Sequence, residues 1–355
     1  MVTPAASGRS HDDRAPLGSS RARWLLTVTI LGSGIAFLDG TVVNVALPAI
    51  GRQLGGTLAT QQWVLDGYLL TLSALLLAGG AAGDRYGRRR VFLIGLVLFT
   101  VASAGCGLAP SAGALVVARL VQGVGAAALV PGSLALIDAG IAPADRGKAI
   151  GIWAGMSGVT SALGPFVGGW LVDAASWRWV FWINVPLAAA AIAIALRHLP
   201  ESRDDSAAQS GRFDIGGAVV ITVGLAGAVY ALIEGPAHGW GPLAVACGIV
   251  GGVALVAFPL LESRMRSPLL PPRLFASGQF TGANLTTFAV YAALGGAMFL
   301  LALQLQQTLG YSALAAGAAT MPTTIIMLLA SPWVGAAAQR TGPRLPMTVG
   351  PLVAG

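Results

Sequence analysis

Residues 69–109 read LLTLSALLLAGGAAGDRYGRRRVFLIGLVLFTVASAGCGLA. Two apolar runs flank one short charged loop, Gly83-Asp84-Arg85-Tyr86-Gly87-Arg88-Arg89-Arg90. Each run approaches the roughly 20 residues that a helix needs to cross a bilayer core. Neither run alternates apolar with polar residues, as the strands of a membrane barrel would over about ten residues. The stretch reads as helix, tight loop, helix, with the arginines holding the loop in the cytoplasm.

The same pattern extends in both directions. Apolar runs fall at roughly 24–48, 63–82, 91–109, 112–137, 149–172, 179–196, 215–234, 243–262, 279–303 and 313–334, and an eleventh begins near 345 and is cut off at Gly355. The predicted fold is an all-α polytopic membrane protein with ten full transmembrane helices and the start of another. Alternating the loops from a cytoplasmic N-terminus places eighteen basic residues inside, among them Arg21, Arg23, Arg85, Arg88, Arg146, Lys148, Arg264 and Arg340. Only Arg52 and Arg178 fall outside, and Arg119 lies within a span. One missed helix would scramble this asymmetry, so it supports both the span count and a multi-pass inner-membrane location.

Composition agrees. Hydrophobic residues are 55% of the 355, charged residues 10%, and the mean hydropathy is +0.75. Soluble domains carry about 25% charge, so a water-soluble enzyme is excluded. Two cysteines and three scattered histidines supply neither a disulfide framework nor a metal centre. The net charge of +7 follows from topology and calls for no nucleic acid. No G-x-x-x-x-G-K-[ST] occurs, so ATP is disfavoured; no cofactor is expected, and an ion gradient remains as the energy source.

Residues 1–23 are polar and read as a disordered cytoplasmic tail, and 197–214 as a cytoplasmic linker. The loop Gly335-Ala-Ala-Ala-Gln339-Arg340-Thr341-Gly342-Pro343-Arg344 repeats the Gly and Arg spacing of Gly80–Arg89, 255 positions later. The division that follows is a six-helix bundle over 24–196, an inserted helix pair and loop over 215–277, and the incomplete start of a second bundle over 278–355. Parallel halves of this kind are a transporter architecture.

The loop at Gly83–Arg90 resembles the signature between helices two and three of the major facilitator superfamily. Leu38-Asp39-Gly40-Thr41-Val42-Val43-Asn44-Val45-Ala46-Leu47-Pro48 resembles the first-helix motif of that family's fourteen-span drug:proton antiporter branch. Arg119-Leu-Val-Gln122-Gly123-Val-Gly125 is similar to the fourth-helix motif, and Gly155 with Gly164-Pro165-Phe-Val-Gly168-Gly169 to the fifth-helix antiporter motif. Trp177-Arg178-Trp179-Val-Phe181-Trp-Ile-Asn184-Val-Pro186 is also typical. The resemblance implies a chain truncated at its C-terminus, alternating access, and proton-coupled export. It also implicates the acid at Asp39 in transport and the arginine at Arg119 in proton movement.

The residues themselves leave alternatives. A carboxylate such as Asp39, mid-span, costs about 2.5–3.5 kcal/mol on insertion scales and faces a bundle interior. It is either a proton carrier or a structural acid bonded to backbone, to Thr41 or to Asn44. At ~1.5 Å per residue, Asp39 and Arg119 lie at similar depth below the outer boundary, with Asp66 shallower. The three are expected to cluster; otherwise Arg119 snorkels outward and Asp66 faces water. Gly83, Asp84, Arg85, Gly87 and Arg88 form a candidate cytoplasmic gate, with Asp84 accepting from Arg88 or from helix-end amides. Gly151/Gly155 and Gly164/Gly168 are small-xxx-small pairs for close helix approach, with Pro165 as a pivot. Asn284 and Gln304 are candidates for a substrate path, whereas Gln306 and Gln307 read as interfacial. Trp63, Tyr68, Trp177, Trp179, Trp182 and Trp240 read as interfacial belts. Glu234 and His238 receive no chemistry.

The expected function is secondary active export of lipophilic or cationic small molecules against inward protons by a monomer embedded in the bilayer. A lipid or metabolite exporter, and a non-transporting sensor or scaffold that keeps the fold, remain as alternatives. No clustered nucleophile, base or metal set supports an enzyme.

Overall fold

The computed structural model describes residues 14–203, 214–265, 268–341 and 347–350. Helices form at all ten apolar runs: α1 Ser20–Leu54, α2 Leu58–Tyr86, α3 Arg88–Leu108, α4 Ala112–Gly140, α5 Arg146–Ala174, a sixth segment split into α6 Trp179–Trp182 and α7 Asn184–His198, α8 Ile215–His238, α9 Pro242–Glu262, α10 Gly278–Leu303 and α11 Ala313–Thr341. Among the described residues nine helical segments are long and apolar enough to cross a membrane, and no strand occurs. The chain is a multi-pass membrane protein. We call the end that carries Arg85–Arg90 the basic end.

Local chemistry sets the boundaries. Ser19, Thr57, Ser111 and Ser277 cap α1, α2, α4 and α10 by accepting a backbone N–H in the first turn. Gly55 ends α1 in the left-handed region at φ +71°. The expected tail is folded in its last part. Ala15 exchanges backbone hydrogen bonds with Gly140 and Ala142 at 2.9 and 3.0 Å, and Leu17 N donates to Asp145 Oδ2 at 2.9 Å. Helix α1 therefore starts before the apolar run does, because the Ser19 cap lies upstream of it. Residues 1–13 and most of the linker, 204–213, lie outside the described residues, as do the side chains of the second Gly/Arg loop.

The helices present apolar side chains outward, and their interior mixes apolar with polar residues. Large apolar side chains such as Ile94, Val101, Val117 and Leu260 point outward, while Thr29, Ser33, Asp39, Ser103, Arg119, Gln122, Ser133 and Asn184 are buried. With lipid outside, apolar burial gives little drive, and small residues that let backbones approach do the packing. Helix α4 shows this on two faces: a Cβ on Gly123 would lie 3.1 Å from Leu72 N of α2, and one on Gly125 2.6 Å from Phe99 N of α3. Ser33 and Ser133 bond across α1 and α4 at 2.8 Å, and Trp153 of α5 donates to Ser33 at 3.1 Å. Helices α8 and α9 pack on each other and reach the rest through α2. There Trp63 Nε1 donates to Glu234 Oε1 at 2.6 Å, and Glu234 also pairs with His238 at 2.9 Å. Glu234, left without a role in the sequence, thereby docks the inserted pair on α2, while His238 bonds it within α8.

Candidate functional site

Helices α1, α2, α4 and α7 converge on Asp39. Arg119 Nη1 donates to Asp39 Oδ2, and both side chains are fully buried. Asp39 Oδ1 accepts from Gln122 Nε2 at 2.9 Å and from Asn184 Nδ2 at 2.8 Å. Arg119 also donates through Nε to Val64 O and through Nη1 to Gln122 Oε1, each at 2.8 Å. Its guanidinium lies over the Tyr68 ring at 4.3 Å. Arg119 and Gln122, three apart, share one face of α4. Arg119 therefore does not snorkel; it is held inside by Asp39, Val64 O, Gln122 and the Tyr68 ring. Two polar atoms of this network, Arg119 Nη2 and Asn184 Oδ1, find no partner among the described residues. A buried polar atom left open costs about 1–3 kcal/mol, so each is ready to bond whatever enters.

Asp66 does not join this network. Helix α2 meets α4 along Val64, Gly67, Tyr68 and Thr71, with Thr71 Oγ1 donating to Leu120 O at 2.7 Å. Asp66 lies off that stripe, half-buried, with no hydrogen bond or ion pair among the described residues. Depth along the axis placed it near the pair; its position around the axis takes it away. The same correction applies in reverse to Tyr68. It is buried beneath Arg119, with its hydroxyl donating to Ala36 O at 2.8 Å, and lies in no interfacial belt. Gln122 and Asn184 were given no role from the sequence, although a polar residue inside an apolar span is itself the signal.

At the basic end, Arg88 donates to Asp84 Oδ1 through Nη2 at 2.7 Å and Nε at 2.8 Å. Gly87 joins α2 to α3 at φ +110°, open only to glycine. Glu201, just past α7, caps α3: its carboxylate accepts from Arg89 N at 3.0 Å and Arg90 N at 3.1 Å, while Arg88 N donates to Ser202 O at 2.8 Å. The linker thereby clasps the loop that the sequence marks as a gate. A Cβ on Gly87 would lie 2.8 Å from Glu201 Oε1. Gly87→Ala is expected to cost about 1–3 kcal/mol through backbone strain, and Glu201→Ala in that background should relieve the clash but not the strain. Thermal unfolding of the reconstituted protein checks both.

The fifth-helix motif divides by contact. Pro165 lacks an N–H and leaves Ser161 O free of its helix partner; Thr41 Oγ1 of α1 lies 2.9 Å from that oxygen. A Cβ on Gly164 would lie 2.8 Å from Thr41 Cβ, and one on Gly168 2.6 Å from Val42 O. Gly169 faces α11, where an added Cβ would lie 2.7 Å from Ala313 C, and a Cβ on Gly317 of α11 would lie 2.7 Å from Pro165 C. Gly155 and Gly151 meet nothing within 4 Å, so the pair they form in the sequence seats no described neighbour. At the same interface, away from the basic end, Asp173 Oδ1 and Oδ2 accept from Ala313 N at 3.2 Å and Leu314 N at 2.8 Å. A carboxylate on the first amides of a 29-residue helix is favoured by the helix dipole. Sequence reading missed Asp173, because an acid at a helix end also reads as solvated surface.

Asn284 and Gln304 do not come together with the pair. Both are exposed: Asn284 Nδ2 bonds Phe280 O at 2.8 Å and Gln304 Oε1 accepts from Thr308 at 3.3 Å. Gln306, read as interfacial, donates to Val45 O of α1 at 3.0 Å.

Similarity to known proteins follows the same geometry. Among solved structures, a POT family transporter in complex with 5-aminolevulinic acid aligns over 94% of this chain and 74% of its own, with TM-score 0.68 and 13% identity. A peptide transporter POT in complex with sulfate aligns over 94% and 72%, with TM-score 0.66 and 14% identity. At such identities they show the fold. Closer in sequence is the puromycin resistance protein pur8 of Streptomyces alboniger, 40% identical over 99% of this chain and 70% of that protein. The tetracenomycin C resistance and export protein of Streptomyces glaucescens is 37% identical over 98% of this chain and 64% of its own length. The chain spans about two thirds of the length of these curated relatives. The family model described as Major Facilitator Superfamily matches residues 29–355, and the chain belongs to that superfamily.

Proposed function

We propose that this chain exports lipophilic or cationic small molecules by proton antiport, in the drug:proton antiporter branch of its superfamily. Asp39 is the proton carrier. The observation that carries this reading is a fully buried Asp39–Arg119 pair with no water-facing surface, held by a backbone carbonyl of α2 and by side chains of α4 and α7. Such a pair is costly to keep dry and weak as a stabiliser, which fits a functional group better than a structural one.

Protonating Asp39 removes one charge from the pair and weakens the bond from Arg119 Nη1 to Asp39 Oδ2. Arg119 keeps Val64 O and Gln122 Oε1, so the cation stays solvated by protein while α1 loosens from α4. A cationic substrate entering from the cytoplasm would take over the carboxylate and release the proton. In this reading the N-terminus and the basic end are cytoplasmic, the membrane is the bacterial inner membrane, and the chain works as a monomer. The Asp84–Arg88 loop clasped by Glu201 is the cytoplasmic latch, and Asp173 on α11 the outer one. Asn284 and Gln304 belong to the substrate path only where further helices cover their exposed face. Relatives named for puromycin and for tetracenomycin C resistance support the substrate class.

Asp173→Asn keeps hydrogen-bond acceptance at one atom and loses the charge facing the α11 dipole, an interaction worth about 0.3–2 kcal/mol. The outer end should open more often, seen as a several-fold faster thiol labelling of a cysteine placed at Ser312.

Proteoliposomes holding the protein, loaded with puromycin and given an imposed pH gradient, test the function. Efflux that rises with the gradient and stops when it is collapsed is expected. Efflux indifferent to the gradient, or none for puromycin and for a lipophilic cation such as tetraphenylphosphonium, would remove the reading.

A further inference from the structure

We propose that Asp214 and Glu262 form a second proton-binding site, a carboxyl–carboxylate pair sharing one proton at the basic end of the inserted helices. It lies outside the Asp39 network and does not depend on the transport reading.

Asp214 caps α8, with Oδ1 accepting from Gly217 N at 2.8 Å. Glu262 is the last residue of α9, with Oε2 accepting from Leu270 N at 2.9 Å. Each carboxyl thus has one oxygen engaged by backbone. The other oxygens, Asp214 Oδ2 and Glu262 Oε1, are buried and find no donor among the described residues. The residues are 8% and 1% exposed. The two free oxygens converge on the bare Cα of Gly217, where an added Cβ would collide with Glu262 Oε1 and lie 2.5 Å from Asp214 Oδ2. Arg264 and Arg273, the described basic residues of the loop that follows α9, point to solvent.

Two ionised carboxylates in that arrangement would repel and both lose water. One proton between them leaves a single charge and makes a charge-assisted O–H···O bond, shorter and stronger than a neutral one. A metal ion fits less well. Calcium takes about 6–8 oxygen ligands, and only two oxygens are free here. The shared proton ties together the start of α8, the end of α9 and the backbone at Leu270, three points that no other described side-chain bond joins. Gly217 has its reason in the same place, since any side chain would force the carboxyls apart.

Infrared difference spectroscopy of the reconstituted protein at neutral pH reads the proton directly, as the C=O stretch of a protonated carboxyl and its shift in heavy water. Glu262→Gln and Asp214→Asn each supply an amide N–H in place of the proton, so the remaining acid ionises. Each variant is expected to lose one protonated-carboxyl band, and the double variant to lose no more than either single one. No band lost in either variant overturns the proposal, and so does a double variant that loses two bands, which would mean two independent acids. The two substitutions reach the same band separately, so one variant that fails to fold leaves the other decisive.

Discussion

Asp39→Asn is expected to abolish proton-driven efflux and to destabilise the protein by about 3–5 kcal/mol, the usual cost of leaving one partner of a buried pair uncompensated. The amide still accepts from Gln122 and Asn184 but turns N–H groups toward the Arg119 donors, so the guanidinium stays charged, buried and unpaired. Arg119→Leu strands the carboxylate instead and should cost a similar amount. The informative variant is the double one. Asp39→Leu with Arg119→Leu removes both charges, and buried pairs replaced by apolar residues are often neutral or stabilising. Stability should recover in the double variant while efflux stays absent. Recovery of efflux together with stability would show that the pair only holds the helices together. Urea or thermal unfolding beside vesicle efflux separates the two outcomes.

Gly169→Leu is expected to reduce transport at least tenfold with little loss of helical content. The Cβ position at Gly169 lies 2.7 Å from Ala313 C and 2.7 Å from Leu314 Cα. Both are backbone atoms of α11, which no rotamer change can move aside. Overpacking of this kind costs about 1–3 kcal/mol, and parting α5 from α11 is the cheapest relief. Separation also draws Asp173 off the α11 amides, so that end of the protein should stay open. Gly155→Leu is the matched control. Nothing lies within 4 Å of that position, so the same side chain should leave transport near the starting level. Equal loss in both variants would mean that the glycines serve helix flexibility and not contact between α5 and α11.

The spans and the Asp39–Arg119 encounter were legible in the sequence for one reason: both depend on distance along the helix axis, which residue counting supplies. What depends on rotation around the axis was not. Asp66 and Tyr68 sit two positions apart on α2, and the reading exchanged their places, sending the acid inward and the ring to the interface. Hydropathy could not decide between them, because α2 carries apolar residues on every face; the small residue Gly67 and the hydroxyl of Thr71 mark the inward side. Gly155 and Gly169 belong to one motif by sequence, yet only Gly169 meets a neighbour. Asp173 and Glu201 were hidden for a different reason. Each is an acid just past or near a helix end, a position that looks solvated until another helix's first amides are found beside it. Capping across chain segments has no short-range signature. The prolines came closest to one. Pro165 frees Ser161 O by its chemistry alone, and Thr41 lies in reach of it.

Proton movement on substrate addition tests whether Asp39 carries the proton. Inside-out vesicles holding the protein, acidified inside and carrying a pH-sensitive dye, receive puromycin or tetraphenylphosphonium from outside. Substrate is expected to drive protons out of the wild-type vesicles, and Asp39→Asn vesicles of equal protein content are expected to release none. Proton release in the Asp39→Asn vesicles equal to that of the wild type would contradict that role.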